Sequence, residues 1–122
     1  MAVGVLIVDD LKFIKIVLRE ILETAGFRVV GEASNGEQAI AQYQDRRPDA
    51  VLMDITMPGM DGLTALKKIR EIDPGARVIM CSALGQQRLI LKAIQMGAKD
   101  YIVKPIQPNR VIGALKKALD IS

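Results

Sequence analysis

The chain has 122 residues with a formal net charge of +3, and half of its residues are apolar and a quarter charged. This size fits one domain over residues 1–122, and the composition excludes a disordered chain because a sizeable core can be buried. Because the chain has no histidine, it cannot use a histidine base or ligand. Because it has one cysteine, it can form neither an internal disulfide nor a cysteine zinc cluster. There is no leader pattern and no apolar run of the roughly 20 residues that span a bilayer. We therefore expect a cytoplasmic protein without membrane insertion.

Short apolar runs alternate with helical patterns in the first part of the chain. Residues 3–8 predict a buried strand, and the apolar spacing of residues 11–25 predicts the helix that follows it. Residues 28–33 predict a second strand. Asn35, with Gln38 three residues later, predicts the capped start of a second helix that ends before the next proline.

The same alternation continues to the end of the chain. The remaining predicted elements are a strand over 50–53, a turn-rich loop over 56–62, a helix that stops before Asp73, a strand over 77–82, a helix that ends near Gly97, a strand over 101–103 and a helix from Pro108. Parallel strands need crossover connections, and helices in the crossovers cover both faces of the sheet. Five strands alternating with five helices therefore predict an α/β fold with a mostly parallel sheet.

Polar side chains follow or end four of the five predicted strands. The first strand runs into Asp9 and Asp10, and the third runs into Asp54. The fourth ends in Ser82 and the fifth runs into Lys104. Ligands of open parallel sheets bind at the edge where the carboxyl ends of the strands lie. We therefore expect these five side chains to form one site.

The three carboxylates of this group predict a metal ion. Carboxylates repel one another by about 1 kcal/mol per pair at 4 Å in water, and by more where solvent is thin. Mg²⁺ offsets this repulsion because it binds carboxylate oxygens and keeps positions for water and phosphate. The ammonium of Lys104 and the hydroxyl of Ser82 add donors for a phosphoryl group. One carboxylate is itself a candidate acceptor that forms an acyl phosphate.

Four segments in a fixed order carry a family pattern. They are residues 8–10 (VDD), 53–62 (MDITMPGMDG), 81–83 (CSA) and 97–105 (GAKDYIVKP). With them the chain resembles the receiver domains of bacterial two-component response regulators over essentially its whole length, and above all the stand-alone receivers of chemotaxis. The resemblance implies a doubly wound, flavodoxin-like (βα)₅ fold with strand order 2-1-3-4-5.

The resemblance also implies roles in catalysis and metal binding. Asp54 takes a phosphoryl group from the phosphohistidine of a sensor histidine kinase. Asp10 and Asp54 bind Mg²⁺ directly, the backbone carbonyl of Thr56 is a third ligand, and Asp9 acts largely through a bound water. Lys104 pairs with a phosphoryl oxygen. The chain is then not an enzyme beyond its own phosphorylation and dephosphorylation.

A conformational switch is implied by the same resemblance. Ser82 moves to hydrogen-bond a phosphoryl oxygen and Tyr101 turns from an exposed to a buried position. The surface of the fourth helix, fifth strand and fifth helix then changes to bind a target protein, a flagellar motor switch protein being the first candidate. Thr56 and Leu84 stand where receivers vary the lifetime of the acyl phosphate, and an apolar Leu84 predicts slow to moderate self-dephosphorylation. The Lys104–Pro105 peptide bond is cis in this family.

The net charge is unevenly distributed along the chain. Residues 86–122 contain seven cations and two acids, a balance of +5, whereas residues 1–85 contain ten cations and twelve acids, a balance of −2. The basic excess belongs to the predicted output surface, and no helix-turn-helix or aromatic pattern accompanies it. We therefore expect a monomer whose target is an acidic protein patch rather than a nucleic acid. A merely solvated basic face is the other explanation.

Other functions account for fewer of these residues. A Mg²⁺-dependent phosphatase with an aspartyl phosphate has an Asp-x-Asp motif after its first strand, whereas here Asp9 and Asp10 are adjacent. A flavin-binding module needs hydroxyls and glycines at that point, and two carboxylates would repel its phosphate. A stand-alone receiver that relays phosphate, or that acts outside chemotaxis, shares every site residue and remains open. The role of Lys12, a solvated first-turn residue or a phosphate contact, also remains open.

Overall fold

The computed structural model describes residues 2–122 and contains five strands that alternate with five helices. The elements in chain order are β1 (Gly4–Val8), α1 (Lys12–Thr24), β2 (Arg28–Ala33), α2 (Gly36–Arg46), β3 (Ala50–Asp54), α3 (Gly62–Ile72), β4 (Val78–Ser82), α4 (Gln87–Gln95), β5 (Asp100–Val103) and α5 (Pro108–Leu119). The predicted number, type and order of the elements are confirmed.

All neighbouring strands are parallel, and the sheet has the order β2-β1-β3-β4-β5. This order confirms the doubly wound, flavodoxin-like fold. The register pairs Val8 with Met53 and Asp54 with Cys81. The carboxyl ends of β1, β3 and β4 therefore lie side by side at one edge of the sheet.

Helices cover both faces of the sheet, and alternating strand residues enter two separate core layers. On β1, Val5 and Ile7 face α1 and α5, whereas Leu6 and Val8 belong to the layer under α2, α3 and α4. Every residue of β1, β3 and β4 is buried. Each fully buried Leu or Ile contributes about 1.5–3 kcal/mol, so the central strands hold the site edge on a rigid base.

The predicted start of α2 is confirmed at the level of its hydrogen bonds. Asn35 Oδ1 accepts from the backbone N–H of Gln38 at 2.8 Å, and Gln38 Oε1 accepts from the backbone N–H of Ser34 at 2.8 Å. The first bond satisfies a backbone donor that the helix N-terminus leaves free, and the second fixes the residue before the cap.

Several element boundaries differ from the prediction by about one residue, and β1 and β5 begin at Gly4 and Asp100 rather than at residues 3 and 101. β3 includes Asp54, because the ladder to β4 continues to Ile55, whose N–H donates to the carbonyl of Cys81 at 3.0 Å. Gly62 is the first residue of α3 rather than the last of the loop, since Asp61 caps the helix through the N–H of Thr64. β4 begins at Val78. Among residues 2–122, no helix is long and apolar enough to cross a bilayer.

Candidate functional site

The strand ends bring four of the predicted side chains to one edge of the sheet. Asp9 directly follows β1, Asp54 ends β3, Ser82 ends β4 and Lys104 directly follows β5. The backbone N–H of Lys104 donates to the carbonyl of Ser82 at 2.8 Å, which joins the last two strand ends. The Lys104–Pro105 peptide bond is cis.

Three carboxylates lie together at this edge. One oxygen each of Asp9, Asp10 and Asp54 lies within 4.8 Å of the others. Asp9 is 1% exposed and Asp54 6%, whereas Asp10 is exposed. The backbone N–H of Leu11 donates to Asp9 Oδ1 at 2.9 Å and fixes that carboxylate. An oxygen-only donor set with one side open to solvent suits a hard divalent cation such as Mg²⁺.

Lys104 connects two of these carboxylates. Its Nζ lies 3.1 Å from Asp9 Oδ2 and 3.3 Å from Asp54 Oδ2, and its side chain is 21% exposed. Burial by itself would lower the pKa of Lys104, but the hydrogen bond to Asp9 and the charge of Asp54 raise the pKa above its usual value. The ammonium is therefore charged at neutral pH and placed where negative charge collects.

The surroundings of Asp54 disfavour the ionised form of its carboxyl group. Burial raises the pKa of Asp54, the charge of Lys104 opposes that rise, and the charge of Asp9 adds to it. An additional cation next to Asp54 would favour the ionised form of the carboxyl group. The repulsion between Asp9 and Asp54 is thus only partly offset by the lysine.

Ser82 has a hydroxyl group without a partner. Its side chain is fully buried, and within residues 2–122 its Oγ makes no hydrogen bond. A buried hydroxyl usually has a partner, and an unmet one calls for an explanation. Ser82 lies one residue beyond Cys81, which pairs with Asp54 across the ladder. A ligand oxygen bound near Asp54 is the kind of acceptor that this hydroxyl lacks.

Cys81 is another side chain close to Asp54 that could act as a nucleophile, but its thiol is poorly suited to that role. The residue is buried, and burial raises the pKa of its thiol to about 12. The thiolate is the nucleophilic form of cysteine. A thiol this basic is neutral near pH 7, so the carboxylate of Asp54 is the better nucleophile at the site.

Two loops border Asp54, the β3–α3 loop (residues 55–61) and the β4–α4 loop (residues 83–86). Thr56 is exposed on the first of them, two residues after Asp54. Its Oγ1 accepts a hydrogen bond from Gln86 Nε2 at 2.8 Å, and Gln86 Oε1 accepts one from the backbone N–H of Ala83 at 2.7 Å. Gln86 was not among the predicted site residues. Its place directly before the fourth helix is the one sequence signal that could have drawn attention to it.

The predicted lifetime and switch residues lie farther along the same side of the molecule. Leu84 is 80% exposed and Tyr101 is 39% exposed. The guanidinium carbon of Arg110 lies 5.5 Å from the centre of the Tyr101 ring, and Arg110 also pairs with Asp100 at 3.0 Å. Lys12 is exposed at the start of α1. The side chain of Tyr101 is therefore exposed in this structure. Neither Tyr101 nor Leu84 belongs to the carboxylate cluster.

An apolar groove of about 490 Å³ runs between α4 and β5, next to the β4–α4 loop. Cations lie on the exposed faces of the flanking helices, among them Arg88 and Lys92 on α4 and Lys116 and Lys117 on α5. The lining of the groove is predominantly apolar: Ala83, Leu84, Gly85, Gln86, Gln87, Ile90, Leu91, Ile94, Tyr101 and Val103. This surface, here called the α4–β5 groove, suits the apolar side chains of a protein with acidic neighbours.

Comparisons with known proteins agree with this geometry. A model of the response regulator receiver domain matches residues 5–116. The chemotaxis protein CheY of Bacillus subtilis (strain 168) is 56% identical over 120 residues, covering 98% of this chain and 100% of that protein. CheY of Thermotoga maritima is 54% identical over 93% of this chain and 94% of its own.

Solved structures of receiver-domain proteins also match the chain. A crystal structure of the CheX–CheY–BeF₃–Mg²⁺ complex from Borrelia burgdorferi matches with a TM-score of 0.90 and 42% identity, covering 93% of this chain and 87% of that one. The response regulator domain of Thermotoga maritima CheB matches with a TM-score of 0.91 and 32% identity over 100% of this chain and 99% of that one. The chain therefore belongs to the response regulator receiver family, as a CheY-like member, and this supports a part in two-component signalling and chemotaxis.

Proposed function

We propose that the protein accepts a phosphoryl group on Asp54 and that this modification changes the α4–β5 groove and its surroundings, so that a target protein binds there. The observation that carries the proposal is the grouping of Asp54 with Lys104, two further carboxylates and an unpartnered Ser82 hydroxyl. A buried, fixed carboxylate is the acceptor, and the other groups neutralise or bind the oxygens of the transferred group.

The transfer is a displacement at phosphorus. A carboxylate oxygen of Asp54 forms a bond to phosphorus while the bond between phosphorus and the imidazole nitrogen of a phosphohistidine breaks, and that nitrogen keeps the electron pair. Positioning and charge neutralisation account for most of the catalysis of such reactions. Lys104 is already within reach of Asp54 Oδ2, so its ammonium can pair with an oxygen of the new group.

The residues present fit Mg²⁺. Asp10 and Asp54 would hold the ion, with the backbone carbonyl of Thr56 as a third protein ligand and Asp9 acting through water. When bound, the ion supplies positive charge that offsets both the carboxylates and the incoming phosphoryl oxygens. Asp10 offers an exposed carboxylate to that ion, while Asp9 is turned inward to Lys104.

The partner that supplies the phosphoryl group is a sensor histidine kinase. The chain contains no histidine, so the phosphohistidine must come from another protein. After transfer the chain acts on itself only, through hydrolysis of its own acyl phosphate, and does not act as an enzyme on other substrates. We place this cycle in the cytoplasm with the kinase.

On the output side, the α4–β5 groove has an apolar floor and exposed cations on its flanking helices. A protein segment with apolar side chains and acidic neighbours fits this chemistry, and the flagellar motor switch is our first candidate. The Borrelia burgdorferi relative was crystallised with CheX, so a protein of that kind is a second candidate. A relay receiver without a motor target would have the same site, and target capture distinguishes the two.

The proposal is tested by incubating the protein with acetyl phosphate and Mg²⁺ and recording the intact mass. We expect a gain of one phosphoryl group in the wild type, absent when a chelator is present from the start and absent in Asp54→Asn. Asp45→Asn, which changes an exposed carboxylate away from the site, is the matched control and should react like the wild type. A wild type without the adduct, or an equal adduct in Asp54→Asn, would contradict the proposal.

A further inference from the structure

Gln86 forms a bridge between the two loops that border Asp54. Its carboxamide accepts from the backbone N–H of Ala83 at 2.7 Å and donates to Thr56 Oγ1 at 2.8 Å. One end of the bridge is therefore the residue after Ser82, and the other end is two residues after Asp54. No other side-chain bond in residues 2–122 joins these two loops.

The β4–α4 loop has few other constraints. Ala83, Leu84 and Gly85 are exposed, and Gly85 has a positive φ of 87°. Gln86 is the N-cap residue of α4, yet its side chain makes no capping bond to that helix. The carboxamide is directed across to Thr56 instead. The position of this loop therefore depends strongly on the two hydrogen bonds of Gln86.

The bridge engages a backbone donor directly beside an unpartnered hydroxyl group. Ser82 Oγ is buried without a partner, and an acceptor oxygen on Asp54 would offer it one. The backbone N–H of Ala83 is bound to Gln86. A phosphoryl group adds charged acceptor oxygens, which form stronger hydrogen bonds than a neutral carboxamide does.

We propose that Gln86 is a positioning residue that stabilises the unphosphorylated arrangement of the β4–α4 loop, and that its bonds to Ala83 and Thr56 break when Asp54 is phosphorylated. This inference rests on the proposed function. A net hydrogen bond is worth roughly threefold to tenfold in an equilibrium constant. Removal of the bridge therefore shifts the protein toward the activated arrangement before any phosphate is bound.

The test uses beryllofluoride with Mg²⁺ as a mimic of the phosphoryl group. Gln86→Met replaces the carboxamide by an apolar side chain of nearly the same length, and Gln44→Met makes the same change at an exposed position of α2. We expect Gln86→Met to bind beryllofluoride about threefold to tenfold more tightly than the wild type, with Gln44→Met unchanged. Urea unfolding of each variant without ligand records any loss of stability separately.

A second readout reports on the bridge itself. In the wild type, the amide resonance of Ala83 should move when beryllofluoride binds, and in Gln86→Met without ligand it should already lie toward the bound position. Equal or weaker beryllofluoride affinity in Gln86→Met, or an unchanged Ala83 resonance, would overturn the inference while the proposed function stands. A wild type that fails to bind beryllofluoride would overturn the proposed function and this inference together.

Discussion

The two loops beside Asp54 are built in opposite ways. The β3–α3 loop buries Ile55 and Met57, and the N–H of Gly62 at its end donates to the carbonyl of Ile55 at 2.7 Å. Asp61 then caps α3 through the N–H of Thr64 at 2.9 Å. The loop that carries the acceptor strand into α3 is thus fixed by packing, backbone bonds and a helix cap at once.

The β4–α4 loop has almost none of these features. Its first three residues are exposed, and α4 has one buried residue, Ala93, along its nine-residue length. Few buried contacts and exposed backbone are the physical basis of local motion. The difference teaches that the proposed acceptor, Asp54, leads directly into the rigid loop, whereas the residues proposed to respond to phosphorylation begin in the adaptable one.

The largest difference in stability should appear when a methyl group is added at one glycine in or beside each loop. A Cβ at Gly62 would lie 2.1 Å from the backbone oxygen of Asp54, whereas a Cβ at Gly85 would have no atom within 4 Å. We expect Gly62→Ala to lower the free energy of unfolding by about 3 kcal/mol. Gly85→Ala should cost about 1 kcal/mol, for its positive φ alone.

Urea unfolding of both variants measures this difference. Gly113→Ala, at an exposed helical position with open space around it, is the control and should not destabilise the protein. Equal losses in Gly62→Ala and Gly85→Ala would contradict the claim that only the β3–α3 loop is tightly packed.

Removal of the lysine cation should have the next largest effect. Lys104→Met leaves Asp9 and Asp54 unpaired, and we expect a loss of about 2 kcal/mol at pH 7 without metal, since a partly exposed pair is worth less than a buried one. The pKa of Asp54 is already raised by burial, and loss of the cation raises it further. The contribution of Asp54 to stability is then greatest below the unfolded pKa of Asp and falls as the pH rises through the folded pKa of Asp54.

Urea unfolding between about pH 4 and pH 7 checks this sign. The fall in stability with rising pH should be steeper in Lys104→Met than in the wild type. Lys99→Met, which changes an exposed lysine, should follow the wild-type curve. A parallel curve for Lys104→Met would show that Lys104 does not offset the carboxylate charge.

A smaller loss of stability is expected on removing the side-chain cap of α3, which the β3–α3 loop possesses and the β4–α4 loop lacks. Asp61→Ala removes the acceptor for the N–H of Thr64 and should cost about 1 kcal/mol. Asp45→Ala is the control, because that carboxylate is exposed and pairs only with its neighbour Arg46. Thermal unfolding that is equal in the two variants would count against the rigid loop.

The smallest change in stability is expected at Leu84. Leu84→Glu alters a side chain that is 80% exposed and should change the free energy of unfolding by less than about 0.5 kcal/mol. The new carboxylate can hydrogen-bond an attacking water, so the acyl phosphate should have a shorter lifetime. A phosphate chase by intact mass measures that lifetime, and an equal or longer one in Leu84→Glu would contradict the role assigned to Leu84.

The sequence predicted the positions that the sheet itself determines. Asp9, Asp54, Ser82 and Lys104 each follow or end an apolar run, and the rule that parallel strands end at one edge places them together. The local start of α2 at Asn35 was equally predictable, because its two hydrogen bonds join residues within four positions of one another.

Contacts between distant loop residues could not be predicted in this way. The bond from Gln86 to Thr56 joins residues thirty positions apart, and the bond from the Tyr43 hydroxyl to Asp73 at 2.7 Å joins α2 to the end of α3. Neither periodicity nor motif spacing encodes such pairs, since they depend on where each loop is placed by the packed core. The position of Arg110 over the Tyr101 ring has the same origin.

Hydrogen exchange of the backbone amides, with and without beryllofluoride and Mg²⁺, tests most directly whether Asp54 controls the adaptable loop. We predict large changes in exchange at residues 83–95, much smaller changes at Gly62 and Thr64, and no change anywhere in Asp54→Asn. Changes of equal size in both loops, or an unaltered β4–α4 loop in a protein that has bound beryllofluoride, would contradict this account.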